Sequence, residues 1–204
     1  MGRSRPPLLV VCALRIEAFA LRGATAGGAD FPVTVRRTGM GPKSAQRAVA
    51  RAVEEPALHG ASVLTTGFCA GLAPGIRAGD VVVADDGHES EALAAALKAA
   101  LADRGHTVHT GTLAESDHVV RGAERAALAA TGAIAVDMES AAMRRAALAA
   151  GAHRVAAARV VVDTPEQELV RVGTLRTGII AFRVLRDLSP AFLDWHRTTT
   201  LPWR

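Results

Sequence analysis

Glu17, Asp137, Glu139 and Asp163 each fall just beyond a short apolar run, the place where an open α/β sheet gathers its ligands. A charge beside a core is costly unless it has a task or a partner, and carboxylates so placed move protons or hold hydroxyl groups. Each also has a plainer reading. Glu17 could face water on a helix turn, Asp137 could cap a helix, and Asp163, before Thr164-Pro165, could punctuate a turn. Two glycine-bearing segments, Gly39–Lys43 and Gly67–Gly71, read as loops in equivalent positions, and neither has Walker or GxGxxG spacing. The seven histidines form no metal pair at helical spacing, so no metal is expected; His118 is the one placed to touch a substrate. Cys12 and Cys69 lie in apolar segments and give neither a disulfide framework nor metal-ligand spacing. Cys69 reads as a small buried residue rather than a nucleophile, and Lys43 as solvated.

Alternating strands and helices must position these residues. Leu8–Ala13 is a continuous apolar run, the pattern of a strand buried on both faces. A short helix from Glu17 follows, then a strand over Phe31–Arg37 and a helix opened by Pro42 and ended before Pro56. Ser62–Thr66 reads as a strand closed by Gly67, and Asp80–Ala84 as another. Leu93, Leu97 and Leu101, four apart, mark an amphipathic helix over Ser90–Arg104. Strand, helix, strand, helix, strand then follow at Thr107–Leu113, Arg121–Ala130, Ala133–Val136, Met138–Ala150 and Arg154–Val162. Thr174–Leu188 is the last helix, and Ser189-Pro190 opens a short tail. The alternation predicts a three-layer α/β/α fold with a central mixed, mostly parallel sheet. No linker or repeat divides it, so residues 1–204 read as one domain, with 174–204 a C-terminal helix and aromatic tail.

The composition narrows the classes. At 204 residues with 50% hydrophobic and 22% charged, the chain can bury a core and is not a disordered one. No apolar run approaches the roughly 18 residues that a spanning helix needs. Leu8–Leu14 is too short for a signal peptide and is followed at once by Arg15 and Glu17, which makes a cytoplasmic protein the expectation. The net charge of +4 suggests nucleic acid, but all 24 basic residues except Lys43 and Lys98 are scattered arginines, offset by 20 acids. With five Phe, two Trp and no Tyr to stack on bases, nucleic acid is not an expected partner.

Six segments in this order resemble the nucleoside phosphorylase/nucleosidase family, which includes methylthioadenosine/S-adenosylhomocysteine nucleosidases and futalosine hydrolases. They are Ala13–Glu17 (ALRIE), Thr38–Gly41 (TGMG), Thr66–Asp85 (TGFCAGLAPGIRAGDVVVAD), Glu115–Val120 (ESDHVV), Ala133–Ala142 (AIAVDMESAA) and Arg159–Asp163 (RVVVD). The resemblance implies cleavage of a nucleoside through an oxocarbenium-like state, with no cofactor. Asp163 matches the acid that protonates the purine at N7 and would have to be held protonated to do so. Glu139 matches the carboxylate that grips the ribose 2′-hydroxyl, Met138 the residue packed on the sugar, and Glu17 the base that activates water. Gly41, Gly67, Phe68, Cys69 and Val119 fall in segments that surround the base and the nucleophile. Phosphate as co-substrate is the alternative. The arginine and serine that cradle it in bacterial phosphorylases are matched here by Thr65 and Phe68, although the amides of Gly39–Gly41 could form an anion nest.

The departures from the family suggest its substrate. Of a long segment that walls the pocket after Asp85, only Asp86-Gly87-His88-Glu89 remains; the stacking aromatic is Val119, and the serine before the acid is Val162. A pocket so altered leaves the 5′ side open. With GFCAGL and the short Trp-bearing C-terminus, it looks like the hopanoid-associated phosphorylases, which implies release of adenine from adenosylhopane. Phe182, Phe192, Trp195 and Trp203 lie near Arg176, Arg183 and Arg186, a surface that could meet a membrane peripherally or pack within the protein. A small-substrate nucleosidase of the same family and a non-catalytic nucleoside sensor are the competing readings. A homo-oligomer, most simply a dimer, is what the family implies.

Overall fold

The computed structural model describes residues 5–26, 28–165 and 174–199. Strand β1 (Leu8–Cys12) is buried along its whole length because both of its faces are covered. Leu8 and Val10 join a core with residues of α4 (His88–Leu101), α7 (Thr174–Asp187) and α8 (Ser189–Thr199). Leu9 and Val11 join a second core against α3 (Pro42–Val53) and α6 (Ser140–Ala149). Period-two alternation on a strand sandwiched by helices accounts for the unbroken apolar run.

The remaining strands and α-helices are α1 (Arg15–Ala20), α2 (Arg22–Ala26), β2 (Val33–Arg37), β3 (Ser62–Gly71), β4 (Val81–Ala84), β5 (Val108–Gly111), β6 (Leu113–Glu115), α5 (Gly122–Ala130), β7 (Ala135–Asp137) and β8 (Val155–Asp163). The sheet runs β2-β1-β3-β8-β4-β5, with β7 and β6 branching from the far end of β3. It is mixed but mostly parallel, the antiparallel pairs being β4 with β8 and β3 with β7. Helices cover both sides, as the sequence predicts. Among the described residues, no helix is long and apolar enough to cross a membrane.

Three expectations are corrected. The segment Gly67–Gly71 is not a loop: β3 continues through it, paired with β8 along nearly its whole length and with β7 at its tip. A shift of register between Cys69 and Ala70 sets Ala70 beside Asp163. The strand expected over Thr107–Leu113 is two, because Thr112 divides β5, which pairs with β4, from β6, which pairs with β7. The tail after Ser189-Pro190 is helix α8, with Pro190 in its first turn, where a missing N–H costs nothing. Phe192 and Trp195 of α8 are fully buried, and the Trp195 indole donates to the Glu89 carbonyl at 3.1 Å. Those two aromatics build the core and are not offered to a membrane. Phe182 is half-buried and stacks on Phe19 with centroids 6.1 Å apart, and Trp203 lies outside the described residues.

Candidate active site

Glu17 sits in the first turn of α1, yet it does not face water. It is 2% exposed, and its carboxylate turns back on the chain. Oε2 accepts the amides of Ala13 and Leu14 at 2.9 and 2.8 Å, and Oε1 accepts the amide of Phe68 at 2.8 Å. The side chain thereby ties the end of β1 to the second half of β3. Gly67 makes this possible: at φ +141°, a Cβ there would lie 2.5 Å from both Glu17 Oε1 and Arg159 Nη1.

Arg159 is a site residue that the sequence reading missed, although a charge within VAAARVVVD is itself a signal. It is fully buried on β8. Its Nε meets Asp137 Oδ2 at 2.7 Å and Ser140 Oγ at 2.6 Å, and Nη1 donates to the Thr66 carbonyl at 2.7 Å. Burial works against its charge, but Asp137, Glu17, Glu139 and Cys69 outweigh burial and hold the guanidinium above its usual range. Asp137 both pairs with Arg159 and accepts the amide and hydroxyl of Ser140 at the start of α6. The capping reading is corrected: the N-cap of α6 is Glu139, and Asp137, two positions before that cap, reaches the first helical residue while pairing with Arg159.

Glu139 follows β7 and is 6% exposed. Its Oε1 accepts the Gly41 amide at 2.9 Å. Burial raises its carboxyl above the ordinary value. The Gly41 bond and the Arg159 charge pull it down, while Asp137 and Glu17 push it up. The Gly39–Gly41 nest is in use by the protein itself, since the Gly39 amide donates to the Ala13 carbonyl and the Gly41 amide to Glu139.

These groups surround one cavity of about 190 Å³, lined mainly by apolar atoms. Glu17, Glu139 and Asp163 all reach it from separate strand ends, and Met138, Phe68, Cys69 and Val119 line it with them. Gly41 and Gly67 stand behind the lining, as donor to Glu139 and as the space beneath Glu17. The Cys69 thiol is pushed well above its ordinary value, by burial first and then by Asp137, which works against a thiolate nucleophile. His118 also lines the cavity, bonded to Asp117 at 2.7 Å and Glu124 at 3.0 Å, and both acids raise its tendency to hold a proton. Met40 and Val119 at the mouth are 68% and 52% exposed. The connection from β4 to α4 is only Asp85-Asp86-Gly87, with Asp86 paired to Arg144 at 3.0 Å. Among the described residues, no three His, Cys, Asp or Glu side chains gather to hold a metal ion.

Asp163, at the end of β8, is 4% exposed and its Oδ2 accepts Arg125 Nη2 at 2.8 Å. The surroundings expected to keep this acid protonated include a guanidinium, a partner suited to the carboxylate. Nothing in the spacing of the alanine-rich α5 marks Arg125 out.

The family model for the phosphorylase superfamily matches residues 25–91 and 87–172. No curated protein matches the chain by sequence. Among solved structures, a mutant Helicobacter pylori MTAN with 5′-methylthioadenosine in its active site is similar at TM-score 0.76 and 15% identity, covering 95% of this chain and 99% of that one. The 5′-methylthioadenosine/S-adenosylhomocysteine nucleosidase of Neisseria meningitidis is similar at TM-score 0.72 and 20% identity, covering 96% and 99%. Futalosine hydrolase of Helicobacter pylori is similar at TM-score 0.72 and 16% identity, covering 97% and 100%.

Proposed function

The chain belongs to the phosphorylase superfamily, and we propose that it cleaves the N-glycosidic bond of an adenine nucleoside, with water as the attacking group. The observation that carries this reading is the convergence of Glu17, Glu139 and Asp163 on one cavity from three strand ends. Asp163 protonates N7 as the bond from C1′ to the base breaks, and the bond's electron pair leaves with the purine. Glu139 accepts a ribose hydroxyl and, with Glu17, supplies negative charge near the cationic sugar. Glu17, beside Arg159, takes a proton from the water that forms the new bond to C1′. The products are adenine and the free sugar, and the reaction requires no metal or organic cofactor.

Water is favoured over phosphate because the nest amides of Gly39 and Gly41 are already bonded within the protein. Thr65 and Phe68 also bring no charge to that region. The open mouth at Met40 and Val119 and the three-residue link after β4 favour a large 5′ substituent, and the resemblance makes adenosylhopane the specific candidate. On this reading the protein works in the cytoplasm as a homodimer whose second copy completes the open wall. A small-substrate nucleosidase is the second reading, favoured by the methylthioadenosine-bound fold relative. The convergence of Glu17, Glu139 and Asp163 on one cavity weighs against a silent sensor. The deciding experiment incubates the protein with methylthioadenosine, S-adenosylhomocysteine, futalosine and adenosylhopane, with and without phosphate. Free adenine and an unphosphorylated sugar from the lipid nucleoside are expected; a sugar 1-phosphate would overturn the choice of water, and base release from the small substrates alone would overturn the large 5′ group.

A further inference from the structure

Helix α5 (GAERAALAA) has one buried residue, and it is Arg125. A surface helix normally turns apolar side chains to the core; here Leu128 and Ala129 do so while still partly exposed, and the most deeply buried side chain is a guanidinium only 3% exposed. Nη2 donates to Asp163 Oδ2 at 2.8 Å, both side chains being withdrawn from water. Nε and Nη1 of Arg125 are buried with no hydrogen-bond partner among the described residues. Burying a cation for one such bond is costly, and a methionine would fill the same space without that cost. The placement therefore calls for a task at Asp163.

We propose that Arg125 is a positioning residue for the acid: it fixes the Asp163 carboxyl and stabilises the carboxylate left when the proton goes to the departing base. This rests on the reading of Asp163 given above. Asp163 draws its proton from solvent and passes it to N7 while the C1′–N9 pair withdraws into the purine. It is left as an anion facing Arg125, and the proton that Glu17 takes from water returns to solvent, so the cycle balances. Because α5 follows directly on the cavity wall at His118–Val120, the same ion pair clamps that wall to the end of β8.

The other ionisable groups around the carboxyl are Cys69 on β3, whose thiol feels the Asp163 charge, and Asp137, Glu17, Glu139 and His118, which line the shared cavity with it. Helix α7, packed on β8, turns Arg176 and Arg183 to solvent. Replacing Arg125 leaves all of these in place.

The test compares the parent with Arg125→Met and Arg125→Lys in kcat and KM against pH on the nucleoside that is turned over. Carboxyl-carbon NMR titration of Asp163, assigned with Asp163→Asn, is run alongside. With the cation gone the carboxyl keeps its proton to higher pH. In Arg125→Met the alkaline fall of kcat and the NMR midpoint should both move up by at least about one pH unit, and the plateau kcat should drop about 10- to 100-fold with KM little changed. Arg125→Lys should restore most of both. If Arg125→Met does not fold, Arg125→Gln takes its place. A lower plateau with an unmoved limb and an unmoved NMR midpoint would mean a merely structural arginine and overturn the proposal. If no nucleoside is cleaved at all, the glycosidase reading fails, while the titration still decides whether Arg125 governs Asp163.

Discussion

The amide of Gly41 donates to Oε1 of Glu139 across 2.9 Å, joining the start of α3 to the approach of α6, 98 residues further along the chain. One oxygen of the carboxylate is thereby held by the backbone in a residue that lines the cavity. Glu139→Gln keeps an acceptor for Gly41 but removes the charge. A fall in kcat/KM of about 10- to 100-fold is expected, the size of a lost charge-assisted hydrogen bond.

The raised carboxyl of Glu139 carries its own pH signature. Its folded value lies above the ordinary 4.5, chiefly through burial, so the native state holds more protons than the unfolded one between those two values. Stability from this group is fully present below 4.5 and is lost as pH rises through the raised value. The melting temperature of Glu139→Gln should therefore gain on that of the parent as pH rises through this window. Activity should run the other way, with the acid limb of kcat/KM set by Glu139 and absent from the variant. Parallel melting curves at every pH would contradict the assignment.

Gly67 permits the close approach of Glu17 and Arg159. An alanine there meets Glu17 Oε1 and Arg159 Nη1 at 2.5 Å, in a backbone conformation that side chains avoid. Neither neighbour is free to yield, since Glu17 is held by three amides and Arg159 by Asp137, Ser140 and Thr66. Gly67→Ala should lose about 2–5 kcal/mol in denaturant unfolding together with its activity.

Much of this arrangement is legible in the sequence because acids at strand ends are unusual, and Glu17, Glu139 and Asp163 do converge. The partners are less legible. Gly67 looks like a strand stop, since a glycine after SVLTT reads as punctuation, whereas the chain needs it for clearance within β3. Arg125 and Asp163 are 38 residues apart, and no local pattern signals a pairing made by tertiary packing. Helix α8 is hidden for a similar reason: Ser-Pro reads as a break, although it also starts helices.

That helix gives a sharp stability test. Trp195 is fully buried and closes the core over α4. Trp195→Ala should cost about 3–5 kcal/mol, whereas a dispensable tail would tolerate the change. Trp195→Phe keeps most of the packing but leaves the Glu89 carbonyl without its donor, and should cost about 1 kcal/mol. Chemical denaturation of both variants measures the difference.

Thiol chemistry probes the cavity without any substrate. Both cysteines are free and buried. Burial, with Glu17 adding to it, pushes Cys12 up to about 12, and Cys69 lies well above its ordinary value. A thiol reagent at pH 8 should therefore label neither in the native protein and both after denaturation. Rapid native labelling of Cys69 would mean that the wall at Val119–Val120 opens more widely than the cavity allows in this structure.

The water-activating role proposed for Glu17 is tested apart from its structural role through substitution. Three amides converge on its two oxygens, so Glu17→Ala leaves donors unpaired and weakens the fold. Glu17→Gln retains one carbonyl acceptor but presents an NH₂ to amides that need acceptors, and it should be destabilised by about 1–3 kcal/mol. Asp163→Asn tests the proposed acid with less disturbance, because Arg125 can still donate to its carbonyl oxygen. Each variant should lose at least about 100-fold in kcat, measured as adenine release at a temperature where it remains folded. Binding of adenine itself should survive in Glu17→Gln and weaken in Asp163→Asn, since on the proposed reading Asp163 is the group that meets N7. Undiminished release from Glu17→Gln would remove water activation from this residue and reopen phosphate as the nucleophile.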